Sequence, residues 1–328
     1  MEFVPIIESI SRTESNLQKA YFKAGRVEEE YWRQKSRSLW LASGDKNTSY
    51  FHNQAESRKN FKTVKEITHQ GNLIKDFEGI KQAAFSHFQD LFSAPTDEPL
   101  DPFGHPLSLI PNLVQGPDND QLAAPVTMKD LKTTLSQMKP DNAPGPDGFT
   151  ARFFSTCWDI IKYDLLRMVR NSQCHHKLGG STISSFLALI PKETGTASFA
   201  RFRPISLCNT SYKLVTKIIA NRLKKILPRI IPENQGGFIK GRKILDNVIL
   251  VQEAIHSSMS WKEKGMVVKL DLANAFDRVR YDYLFMVMEK FGFSSAFIDW
   301  IKGYICAPWI APLVNGRSTN FFQASRGL

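Results

Sequence analysis

Asp271 follows five residues of strand-like alternation in "GMVVKLDLANAFDRV", residues 265–279, and Phe276 and Asp277 stand five and six positions further on. Alternation along a strand sends Val268, Leu270 and Leu272 to one face and Val267, Lys269 and Asp271 to the other. The apolar set is expected to pack on helices, which leaves Asp271 facing a substrate. A carboxylate at a strand's C-terminal end, with the Leu272 carbonyl beside it, suits Mg²⁺, a hard ion that takes oxygen ligands and leaves room for phosphates. Taken alone, an Asp-x₅-Asp pattern reads first as Asp271 capping the next helix, and it is the rest of the chain that turns the reading toward a metal.

Other residues offer complementary chemistry. "IPKETGTASFARFRPISL" ends a strand at Lys192 and returns Arg203 after a short loop. These two cations can clamp a triphosphate, the guanidinium as a bidentate fork and the ammonium as a point charge. "QGGFIKGRKILDN" sets Gln235, Lys240 and Arg242 among glycines that let a nucleic-acid backbone come close. The chain carries 43 Lys and Arg against 32 Asp and Glu, a net charge of +11, which favours a polyanionic partner or simply keeps the protein in solution. Its four cysteines form no C-x-x-C pair, so neither a disulfide framework nor a zinc site is expected, and "CHH" at 174–176 reads as a loop. No apolar run nears the ~20 residues that span a bilayer, and "MEFVPIIESI" lacks the features of a signal peptide. An intracellular protein without membrane partners is expected.

The elements that must position these groups follow from periodicity. Residues 1–93 read as a basic, mostly helical N-terminal region. It includes a turn at Gly44-Asp45, a helix capped by Asn47 or Thr48, a small hairpin around Gln70-Gly71-Asn72, and a helix from Phe77 to Leu91. Residues 94–125, rich in Pro, Gly, Asp and Asn, read as a loop or linker and as the domain boundary. From 126 to 328 come a helix capped by Thr127 and Asp130, the stiff turn "PDNAPGPDGF", a helix over 153–169, the strand "SSFLALIPK" and a helix from Thr210 to Pro228. The strand holding Asp271 follows, then helices around 284–291 and 297–305 and a hairpin at Asn315-Gly316.

In this order, "APGPDGF", "IPK", "FRPISL", "NQGGFIKGR" and "VKLDLANAFDRV" resemble the reverse transcriptase of non-LTR (LINE-type) retrotransposons, the plant lineage especially. The upstream "YWRQKSRSLWLASGDKNTSYFHNQAESRKN" looks like the segment joining endonuclease to polymerase in those elements, so the likeness covers roughly residues 30–328. The resemblance implies an α/β (α+β) right-hand polymerase fold, with fingers and the first part of the palm after a helical, basic N-terminal region. It implies that Asp271 is a catalytic Mg²⁺ ligand on a central palm strand. Phe276 would be the gate that excludes a ribose 2′-hydroxyl, Lys192 and Arg203 would bind the incoming dNTP, and Gln235, Lys240 and Arg242 would lie along the RNA template and DNA primer. Asp277 would support the palm, and Asn274 stands where Lys is common.

"RGL" at 326–328 resembles the opening of the family's next motif, and no Tyr-x-Asp-Asp occurs in the 328 residues. Two-metal transfer holds its ions ~3.5–4 Å apart, which one aspartate does not accomplish. Two functions are therefore expected from sequence: a partial RNA-directed DNA polymerase that is inactive alone, or a non-catalytic nucleic-acid-binding remnant. An unpaired sheet edge is expected where the catalytic hairpin would add.

Overall fold

The computed structural model describes residues 3–36, 48–95, 106–177, 179–193, 195–261 and 265–327. The Gly44-Asp45 turn and Asn47 lie outside them. Helix and sheet are mixed, with helices dominating, and the chain divides into two compact units, Met1–Lys75 with Ile190–Arg203 and Asp76–Leu189 with Pro204–Leu328.

In the first unit, α1 (Phe3–Ser36) and α2 (Thr48–Lys62) pack on each other, Trp32 against His52. Most described side chains of α1 are exposed, as its scarcity of apolar residues dictates. β1 (Ile67–His69) and β2 (Asn72–Ile74) form the expected antiparallel hairpin. Gln70 and Gly71 take the left-handed conformations, φ 50° and 82°, that a two-residue turn of matching twist requires. The Thr68 amide donates to the Ala197 carbonyl at 2.7 Å, which ties this hairpin to the 190–203 segment, and Phe51, Val64, Ile67, Phe199 and Phe202 are buried.

The second unit begins with α3 (Phe77–Leu91), whose N-terminus is capped by Asp76 and which buries Ile80, Ala83, Ala84 and Phe88. The stretch 94–125 is not structureless: it contains a 3-10 turn at Pro106–Leu109 and α4 (Gly116–Ala123), which puts Leu122 into the core. α5 (Met128–Ser136) opens on the expected capping box, with Thr127 and Asp130 each satisfying the other's backbone amide. α6 (Ala151–Thr156) and α7 (Trp158–His175) share the span read as one helix. β3 (Ser184–Pro191) alternates strictly between buried and half-buried positions and leads to β4 (Phe202–Cys208).

α8 (Thr210–Leu223) buries Leu214, Val215, Ile218 and Ile219, ends one turn short of the expected stop, and is followed by α9 (Leu227–Ile230). α10 (Ile244–Ser260), α11 (Tyr281–Phe291) and α12 (Ser295–Ile305) complete the helices. α10 has no counterpart in the sequence expectations. β5 (Trp309–Val314) runs parallel to β3 and pairs antiparallel with β6 (Arg317–Ser318) through the Asn315-Gly316 turn, and with β7 (Phe322–Gln323). The sheet order is β4-β3-β5-β6. α3 covers β5, with Phe85 edge-on to Phe322 at 5.7 Å.

The main core lies among α4, α5, α7, α8, α11 and α12, with Trp300, Tyr304, Phe297, Leu131 and Leu214 all but inaccessible. The Tyr212 hydroxyl donates to the Tyr304 carbonyl at 2.7 Å and the Tyr304 hydroxyl bonds Ser172, joining α8, α12 and α7. Burial pushes both phenols up, and Tyr281 up to about 12. Among the described residues no helix is long and apolar enough to cross a membrane.

One expectation is overturned. Residues 265–272 form no regular element and pair with no strand among the described residues. Both faces are open: Val268, Leu270 and Leu272 are 62%, 84% and 78% exposed, so they do not pack on helices. Alternation selects the side-chain faces of a strand, whereas the ladder needs a neighbour to receive its amides and carbonyls, and none lies alongside here.

Candidate functional site

The turn "APGPDGF" is held by one buried side chain that the sequence does not advertise. Asn209, 1% exposed, accepts the Asp147 amide at 3.1 Å on its Oδ1 and donates from Nδ2 to the Thr182 carbonyl at 3.1 Å. Next to it the Thr210 hydroxyl donates to the Phe149 carbonyl at 2.6 Å, and Lys213 Nζ donates to the Ala143 carbonyl at 3.2 Å. Gly145 lies so close that a Cβ there would come within 2.3 Å of the Asn209 backbone nitrogen. The turn is thus seated on the N-terminus of α8.

The "NQGGFIKGR" loop is shaped from below. The Arg242 guanidinium donates to four carbonyls, those of Pro232, Gln235, Pro228 and Ile231, the last at 2.7 Å. Asn247, in the first turn of α10, donates to the Asn234 carbonyl at 3.1 Å and packs against Gly236. Arg242 therefore fixes the loop's course, and the side chains it leaves outward are Gln235, Phe238 and Lys240. Phe238 is 88% exposed at φ 65°, a left-handed conformation that is uncommon for an aromatic residue. Its ring meets Phe276 edge-to-face, centroids 5.8 Å apart. That contact brings the loop beside the segment carrying Asp271.

Asp271 is exposed near the end of this unpaired stretch, with Leu272 next to it. Asn274 adopts φ 53°, a conformation that Asn tolerates better than Lys, which gives a local reason for the residue found there. A short 3-10 turn, Phe276–Arg278, follows. Beyond it the Gly327 amide donates to the Val279 carbonyl at 2.9 Å and Arg326 Nε to the Leu91 carbonyl at 2.8 Å, so the "RGL" segment returns to the stretch just after Phe276. Among the described residues no three His, Cys, Asp or Glu side chains converge on a metal position. Asp271 thus offers a lone carboxylate, and these residues do not by themselves fit a two-ion centre.

Lys192 and Arg203 belong to the first unit, at the two ends of the loop between β3 and β4. The Lys192 amide donates to the Arg201 carbonyl at 3.0 Å, which closes the loop. Both side chains are exposed and neither pairs with a carboxylate among the described residues, whereas Arg201 pairs with Glu193 at 3.0 Å. Within the same unit a cavity of 540 Å³ is lined by residues 60–66 together with Pro191, Glu193 and Phe202.

Residues 190–328 match the family described as reverse transcriptase (RNA-dependent DNA polymerase). The chain is 30% identical over 295 residues to the transposon TX1 uncharacterized 149 kDa protein of Xenopus laevis, covering 90% of this chain and 22% of that protein. It is 25% identical over 183 residues to the retrovirus-related Pol polyprotein from the type-1 retrotransposable element R2 of Popillia japonica, 55% of this chain and 24% of that one. It is 35% identical over 106 residues to the probable RNA-directed DNA polymerase from transposon BS of Drosophila melanogaster, 32% and 12% of the two chains. The chain spans less than a quarter of the length of each of these relatives. With the motifs in this order and the mixed helix-and-sheet architecture, residues 190–328 carry part of a reverse transcriptase domain, of the type found in non-LTR retrotransposons.

Proposed function

We propose that this chain supplies the template-facing and nucleotide-facing part of an RNA-directed DNA polymerase. The observation that carries this reading is the Phe238–Phe276 contact, which joins the loop of Gln235 and Lys240 to the segment of Asp271. In this reading Asp271 and the Leu272 carbonyl would be oxygen ligands of one Mg²⁺, which would supply charge neutralisation at the phosphates, the rest of a two-ion centre coming from groups other than these. Phe276, backed by Phe238, takes the part of the gate against a ribose 2′-hydroxyl, which would favour dNTPs. Lys192 and Arg203 neutralise the triphosphate as cations without carboxylate partners. Gln235 and Lys240 meet the RNA template and DNA primer, and Arg242 acts on them through the loop it shapes. The division at 94–125 between a basic N-terminal region and the polymerase part belongs to the same proposal, as does action inside the cell.

A second reading, nucleic-acid binding without catalysis, draws on the lone carboxylate at Asp271 and the unpaired stretch that bears it. Primer extension on an RNA template, with dNTPs and Mg²⁺ and an Asp271→Ala control, separates the two. RNA-dependent incorporation that disappears in the variant supports the first. RNA bound without incorporation supports the second, and a chain that neither binds RNA nor extends a primer overturns both.

A further inference from the structure

α5 and α8 pack together and leave an open cleft of 770 Å³ at the surface. Five of its lining residues are cationic: Lys129 on α5, Arg222 near the end of α8, Lys224 and Lys225 just after it, and Lys240 from the "NQGGFIKGR" loop. The only lining carboxylate, Asp130, is engaged at the α5 cap, where its Oδ2 accepts from the Thr127 amide at 3.0 Å and the Thr127 hydroxyl at 2.9 Å. None of the four lysines has an ion-pair partner among the described residues, unlike Lys81, Lys162 and Lys302, which each pair with an acid three residues away.

The cleft is also built rather than accidental. Asn221 Nδ2 donates to Gln137 Oε1 at 3.1 Å and bonds Thr134, which fixes the wall between the two helices. Arg222 donates to the Leu122 carbonyl at 2.6 Å, and its guanidinium lies 5.5 Å from the centre of the buried Trp300 ring. Burial pulls the Arg222 pKa below its usual value, opposed by Asp130. A cation fixed in place, partly desolvated and without a carboxylate bonded to it is stabilised by an arriving anion. The remaining lining groups are hydroxyls, amides and the edge of Ile218, which suit a phosphate chain and offer little to a membrane or an apolar peptide.

The geometry points to this cleft as a second RNA contact, in which Lys129, Lys224, Lys225 and Lys240 hold the phosphodiester backbone alongside the loop that faces the template. The inference rests on the proposed RNA binding and extends it from Lys240 to Lys129, Lys224 and Lys225, which lie outside the sequence motifs. Phosphates on a polymer and on free nucleotides share this chemistry, so the test must tell them apart.

The experiment is fluorescence anisotropy of a labelled single-stranded RNA with a 5′-hydroxyl, titrated with the full chain at several salt concentrations. Lys224→Gln/Lys225→Gln should weaken binding about five- to tenfold near 0.1 M salt and flatten the log–log salt slope by about 1.4. A charge-matched control, Lys19→Gln/Lys23→Gln on the exposed face of α1, should change affinity by less than about twofold. All four cleft lysines are exposed, so thermal melts of the variants should overlay the parent; Lys129→Gln, on α5 and outside the loop, is the second variant and should weaken binding in the same direction. Equal losses in cleft and control variants overturn the cleft and leave RNA binding standing. Parent protein that ignores RNA overturns the proposed function itself. Displacement of the RNA by a mononucleoside triphosphate at matched phosphate concentration makes the site one for free nucleotides and overturns the inference.

Discussion

α8 and α10 make an instructive pair. α10 is the longer helix and the richer in apolar residues, yet it buries none of its side chains, while α8 buries Leu214, Val215, Ile218 and Ile219. On α10, Leu245, Val248, Leu250 and Ile255 are all at least 42% exposed. The stretch 265–272 that follows is equally bare. Hydrophobicity makes a helix or strand adhesive; burial needs a complementary surface, and α8 finds one in α5 and α12. The region with the strongest catalytic motif is thus the one with the least packing around it.

The sharpest way to break this comparison is to make one substitution on both sides. Leu214→Ala should cost about 2–5 kcal/mol, because a fully buried leucine leaves a cavity, and Leu250→Ala should stay within about 0.5 kcal/mol. Urea unfolding of the two variants measures the difference. Similar losses would mean that α10 packs in solution. The exposed apolar face also predicts binding of a hydrophobic dye and self-association, both reduced by Val248→Ser/Leu250→Ser.

The next effect is smaller and lies on the packed side. Asn209→Ala strips partners from the Asp147 amide and the Thr182 carbonyl, at about 2–3 kcal/mol. Gly145→Ala pushes a methyl into the Asn209 backbone and should destabilise in the same direction. Combining the two should cost less than the sum of the single losses, because both act on one contact, and a double-mutant cycle by thermal unfolding reads this directly. Strict additivity would show that the turn and α8 are held independently.

What the sequence disclosed follows the same division. The Thr127 capping box, the Gln70-Gly71 and Asn315-Gly316 turns and the apolar face of α8 are local signals, with spacing and residue type sufficient to place them. Asp271 and Phe276 stood out because motif order carries chemical meaning whatever the packing. Asn209 was illegible because its partners sit 62 and 27 residues away and nothing about an Asn before a helix foretells them. Phe238 carries no signal in the sequence because an edge-to-face contact across separate segments leaves no periodicity. Arg242 looked like a nucleic-acid ligand by type, and its four carbonyl partners appear only when the loop has closed on itself. α10 has no counterpart in the sequence expectations although Ile244, Val248, Val251, Ile255 and Met259 share one face, and that face stays open because no complementary surface meets it among the described residues.

The smallest expected effect lies at the seam, where the bare stretch re-enters the packed core at α11. Arg280 Nε donates to Asp282 Oδ1 at 3.2 Å, with a second bond at 2.8 Å to Oδ2, and the Tyr283 amide donates to Oδ1 at 2.8 Å. The Arg280 hydrogen bonds, with the Tyr283 amide adding to them, hold the Asp282 carboxyl below its usual range. A carboxyl whose folded pKa is depressed binds fewer protons when folded than when unfolded. Its contribution is therefore complete above the unfolded value of about 3.9 and fades as pH falls through the folded value. The Asp282 side chain is 48% exposed, so solvent screens the pair and the contribution is well under that of a buried one. Urea midpoints should fall between pH 5 and pH 3 slightly more steeply for the parent than for Asp282→Asn, and added salt should narrow the gap. If the two proteins track each other across that range, the seam is held by packing of Tyr281 and Phe285 alone, and the boundary between bare and packed regions is set without any help from charge.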